Sequence, residues 1–94
     1  MSKESWQQKF DQHRETALFC YHQASGNTRL ARRSFRSAMV QVYGLDPMTI
    51  IVLVQIAIKI WAWARENGYL SEYPLHGVPM AAILEACEAE GDLD

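Results

Sequence analysis

Cysteine, proline and glycine are all scarce in this 94-residue chain, at two, three and five residues, and each scarcity removes a class of structure. Two cysteines, Cys20 and Cys87, cannot build the disulfide framework of a small secreted scaffold. So few prolines and glycines exclude collagen-like repeats, linker-like tracts and the turn-dense chain of a β-sandwich. The chain opens on the polar run 2–9 and not on an apolar leader, so the expected compartment is reducing and cytoplasmic. Charge is missing by sign as well. Residues 25–45 contain no acid, and residues 71–94 contain no lysine or arginine.

Catalytic patterns are lacking too. There is no phosphate-cradling glycine loop, no HExxH, and no grouping of nucleophile, base and orienting residue. His13, His22 and His76 have no recognisable partner motif, and Glu85 with Glu88 reads as a solvated pair on one helix face. Cys20 and His22 project about 200° apart on a helix, and no second close pair joins them, so neither a metal nor a cofactor is expected. The expectation is a protein that is not an enzyme.

What is present is apolar. Half of the chain, 49%, is hydrophobic and only 21% is charged, enough to build a core and too little charge for a disordered chain. At this length the core is one domain, 1–94. The spacing predicts an all-α fold of four helices at about 3–24, 28–43, 46–66 and 79–90, followed by a frayed acidic tail 91–94. The first repeats Trp6, Phe10, Ala17, Cys20, Tyr21 and Ala24 at helical intervals and ends at Ser25-Gly26. His13 falls on or beside that stripe, as a partly buried, hydrogen-bonded histidine. Asn27 or Thr28 caps the second helix, whose apolar face is Ala31, Phe35, Ala38, Met39 and Val42.

The third segment carries the strongest local signals. Asp46 is an N-cap, Pro47 suits the first helical position, and Asn67-Gly68 can end the helix. Apart from a strip of Gln55, Lys59, Ala62 and Glu66, its surface is apolar all round, so it wants cover on nearly every side. Residues 48–64 rise about 25 Å as a helix, short of the roughly 30 Å of bilayer hydrocarbon. A soluble bundle around this helix satisfies every amphipathic stripe at once, and a single-pass membrane protein is the lesser alternative. Trp61 and Trp63 project about 160° apart, and three short helices need not cover both. Ile50, Val54, Ile58, Trp61 and Trp63 are therefore the candidate interface of a homo-oligomer, with another protein as partner in its place.

The sharpest charged feature is the set Arg29, Arg32, Arg33 and Arg36, which falls within about 100° on the second helix, opposite its apolar face. Residues 71–94 answer with Glu72, Glu85, Glu88, Glu90, Asp92 and Asp94. Opposite charges of this kind fix orientation between partners more than they add affinity. The arginines could instead track phosphates, which makes nucleic acid or another polyanion the first alternative partner. The outline of a helix-turn-helix fails, because Ser25 and Asn27 stand where two tightly crossed helices need apolar residues. The sequence thus predicts a non-enzymatic interaction module that self-associates through its third helix.

Overall fold

The computed structural model describes residues 3–68 and 80–91. The connector after Gly68, with His76 and the predicted helix start at Pro79, lies outside the described residues, as does the tail 92–94. The described chain is all-α: α1 (Lys3–Asp11), α2 (Arg14–Gln23), α3 (Thr28–Gln41), α4 (Pro47–Glu66) and α5 (Met80–Ala89).

The helix expected over 3–24 is two helices. Gln12 and His13 form a turn in which the His13 N–H bonds to the Phe10 carbonyl at 2.8 Å, and His13 takes φ −118°, ψ 9°. No glycine, proline or side-chain cap marks the break, so its cause is tertiary. A straight helix over that span would be about 33 Å long, against a molecule measuring 32 × 29 × 19 Å. Broken, it serves two partners: α1 packs on α5 while α2 packs on α3.

Elsewhere the chain turns where its local chemistry says it should. The Gly26 N–H closes α2 by bonding to the Tyr21 carbonyl at 3.1 Å, with Ser25 and Gly26 at φ 52° and 80°, the left-handed pair that makes a tight helix exit. Asn27 then caps α3 by accepting from the Leu30 N–H at 3.2 Å. α3 ends at Gln41, two residues before the expected Tyr43, with Gly44 at φ 61° and the Leu45 N–H bonded back to the Met39 carbonyl. Asp46 caps α4, accepting from the Thr49 N–H at 3.1 Å and its hydroxyl at 2.6 Å, with Pro47 opening the helix.

α4 is the axis of the core. Trp61 is fully buried, its indole N–H donating to the Ala17 carbonyl at 3.2 Å. Tyr21 stacks beside it at 6.5 Å and 18°, Phe35 meets it edge-on at 5.9 Å and 86°, and Phe10 continues the aromatic row against Phe35. α5 closes the other side with Met80, Ile83, Leu84 and Cys87, all buried. Pro47–Glu66 is long and apolar enough to cross a membrane. Nine of its residues, from Ile50 to Ala64, are nevertheless buried in the chain's own fold, so spanning a bilayer would require dismantling that core.

The 19 Å minor dimension holds only two layers of helices at an interaxial spacing of 8–10 Å. A helix in a two-layer slab cannot be enclosed all round. One strip of α4 therefore faces outward: Met48 and Ile51 are 72% and 47% exposed, while Gln55 and Ile58 are half-buried.

Candidate interaction surface

The outward strip of α4 lies next to the arginine face of α3, and between them runs a groove. At one end Val40, Leu45, Pro47 and Ile51 form an apolar cleft with Arg36 on its rim. In the middle Arg32 and Arg36 overhang Ile51, Val54, Gln55 and Ile58. At the far end Arg29, Arg32 and Arg65 surround Ile58 beside the turn 25–28. Neighbouring clefts share Arg32 and Ile58, or Arg36 and Ile51, and so adjoin along one face, apolar toward the α3–α4 turn and polar toward residues 25–28.

All four predicted arginines are exposed, and they flank a common hollow on α3. Among the described residues, no carboxylate lies within ion-pair distance of any of them or of Arg65; Lys59 of α4 is paired instead with Glu90, just past the end of α5. The row contains four like-charged pairs at i, i+3 or i, i+4, each destabilising a helix by about 0.2–0.5 kcal/mol. The folded chain thus carries about 1–2 kcal/mol of repulsion that an anionic partner would relieve.

The predicted interface residues separate into two groups. Trp61 is 0% exposed and is core, while Ile50 and Val54, each 6% exposed, belong to the core and reach the floor of the groove. Ile58 and Trp63 are half-buried and packed against that core, and of these two Ile58 is the one that lines the groove. The exposed apolar residues of α4 are instead Met48 and Ile51. Arg65 was also missed as a member of the basic site, although its helical phase gave a signal: it follows Ile58 by seven residues and Ile51 by fourteen, on the same strip.

The titratable groups with displaced pKa values owe the displacement to structure. Burial pushes the Cys20 thiol and the Tyr21 phenol up, the latter partly offset by the Arg65 charge. Burial pulls His13 down. Its ring sits edge-on to Tyr43 at 4.5 Å and its Nδ1 has no hydrogen-bond partner, so the histidine expected to be partly buried and hydrogen-bonded is buried, with one ring nitrogen left unbonded. The bonds from the Thr49 hydroxyl and N–H hold Asp46 below the usual carboxylate range. Among the described residues, no three His, Cys, Asp or Glu side chains gather closely enough to hold a metal.

No family model, curated protein or solved structure matches this chain.

Proposed function

We propose that this chain is a non-enzymatic assembly module that self-associates through the α3–α4 face. One observation carries the reading. Among the described residues seven large hydrophobics are exposed, and five of them, Val40, Val42, Tyr43, Met48 and Ile51, fall within twelve residues of chain that span the turn from α3 into α4; exposed apolar surface concentrated in this way on a small domain marks an interaction site. The displaced pKa values described above have core-burial and capping causes, so none asks for chemistry. Light scattering on a size-exclusion column, in detergent-free buffer over a hundredfold range of concentration, tests the reading. The expected result is a mass above that of the monomer that is lost in the double variant Met48→Ser/Ile51→Ser, with melting temperature unchanged. A strict monomer at millimolar concentration overturns it.

The rim supports a second reading, a polyanion-binding module, and the observation favouring it is the addition of Arg65 to Arg29 and Arg32 around one cleft. Arginine suits phosphate by its fork of donors. Titration with a short nucleic-acid duplex at low and moderate salt separates the readings: binding through Z phosphates weakens with a log–log salt slope of about −0.9Z, and Arg65→Ala should make that slope shallower.

A further inference from the structure

Resting on the polyanion reading, we infer that the cleft between the start of α3 and the end of α4 is a site for a single dianionic phosphate monoester. Charge concentrates there. Arg29 and Arg32 come from adjacent turns of α3 and Arg65 from the last turn of α4, and the three surround one cleft that no acid lines. No carboxylate among the described residues lies within ion-pair distance of them. Three guanidinium charges therefore meet without a counter-charge from the described chain.

The position of Arg65 distinguishes a single group from a run of phosphates. A nucleic-acid backbone is tracked by cations set along one line, and Arg33 and Arg36 extend such a line on α3. Arg65 stands off it, on a second helix, and closes this end of the row around one cleft. A phosphodiester brings one negative charge and two free oxygens to such a place. A monoester brings about −1.5 to −2 at pH 7 and three acceptor oxygens, one for each arginine fork.

The rest of the cleft suits the same group. The first N–H groups of a helix have no acceptor within it; Asn27 takes that of Leu30, which leaves Thr28 and Arg29, both lining the cleft, to offer theirs to a ligand oxygen. The arginines fix the charge of the ligand and these donors add to its hold. Half-buried Ile58 supplies an apolar floor. The cleft measures about 710 Å³, inside the roughly 300–1,000 Å³ of small-ligand sites, so there is room beside the phosphate for the group that carries it. The apolar cleft of Val40, Leu45 and Ile51 lies outside this site, toward the other end of the face.

Calorimetric titration with adenosine 5′-monophosphate and with its cyclic 3′,5′-diester tests this, because the two share a base and a sugar and differ in phosphate charge and free oxygens. The expected result is one-to-one binding of the monoester about tenfold or more tighter than the diester, and a loss of similar size in Arg65→Gln and in Arg32→Gln. Arg33→Gln removes the same charge from the same row outside the cleft, and its effect should stay under about twofold. All three arginines are exposed, and circular dichroism confirms folding of each variant. A 5′-phosphorylated decanucleotide set against its 5′-hydroxyl twin separates the sources of the group: a phosphorylated strand that binds tighter than the mononucleotide assigns a strand end, and a mononucleotide that binds as well as the strand assigns a free small molecule. No preference for the monoester in either pair, or equal losses in Arg33→Gln and Arg65→Gln, overturns the monoester site while leaving polyanion binding standing. Failure of these ligands and of a duplex to bind at low salt overturns both.

Discussion

Replacing Trp61 by phenylalanine separates the role its burial assigns from the role its residue type suggests. A tryptophan on an apolar helix invites an interface reading, yet here the side chain is 0% exposed and its N–H donates to the Ala17 carbonyl across the α2–α4 contact. Phenylalanine keeps one ring, so the contacts with Tyr21 and Phe35 survive in part. Two quantities are lost. The hydrogen bond contributes about 1 kcal/mol net, and the ~40 Å² of indole surface no longer buried contributes about 1 kcal/mol more at 25 cal/mol per Å². The sum, about 2 kcal/mol, lowers the melting temperature by roughly 8–16 °C in a domain of this size. Trp61→Ala is the upper bound, about 3–5 kcal/mol, and threatens the fold outright.

Thermal melts followed by circular dichroism at 222 nm, at protein concentrations a hundredfold apart, provide the assay. If Trp61 is core, the loss in melting temperature is the same at both concentrations, because no subunit contact has been touched. Should Trp61→Phe instead melt within 2 °C of wild type and dissociate an oligomer, the tryptophan would be an interface residue and the packing described here would be wrong.

Three further outcomes follow from particular residues. Arg33→Ala removes two like-charge pairs and a helix former weaker than alanine, so it should raise stability by about 0.5–1 kcal/mol, read as a higher urea midpoint at low salt and a smaller gain at high salt. His13 is held down by burial, so the unfolded chain takes up its proton first. Its stabilising contribution is complete above pH about 6.5 and shrinks as pH falls through that value; melting temperature should drop between pH 7.5 and 5.5, and His13→Phe should flatten that slope. Asn27→Ala leaves the Leu30 N–H without its cap, which costs about 1 kcal/mol and shows as a lower urea midpoint with an unchanged slope.

Local chemistry made most of the fold legible. Asn27, Asp46-Pro47 and Asn67-Gly68 each carry their own capping or terminating signal within a few residues, and the structure uses each as a helix boundary. The break at residues 12–13 had no such signal, because the competition between α3 and α5 for the N-terminal segment is settled by packing across the molecule. The arginine row on α3 was legible for a different reason: charged and apolar residues contrast, so a period of 3.6 assigns each to a face. On α4 that contrast is nearly absent. With Ile50, Ile51, Val52, Leu53 and Val54 in succession, sequence periodicity cannot tell Ile50 inside from Ile51 outside, and only the positions of α2, α3 and α5 decide it.

Salt is the variable that divides the energy of the groove from its selectivity. Within one chain, no carboxylate among the described residues lies within ion-pair distance of the α3 arginines, and exposed charges farther apart than the ~8 Å Debye length at physiological ionic strength are largely screened. The arginines and acids of a single molecule therefore hardly stabilise each other, and screening them leaves the fold unchanged. Between copies opposite charges can close to ion-pair distance, where matched charges direct the encounter and its register, while Ile51, Ile58 and Val40 provide contact that salt does not weaken. Raising salt should accordingly slow association while leaving the melting temperature of the monomer in place. A melting temperature that fell in parallel with association would mean that the arginines are matched inside the chain, and that the charge segregation serves the fold.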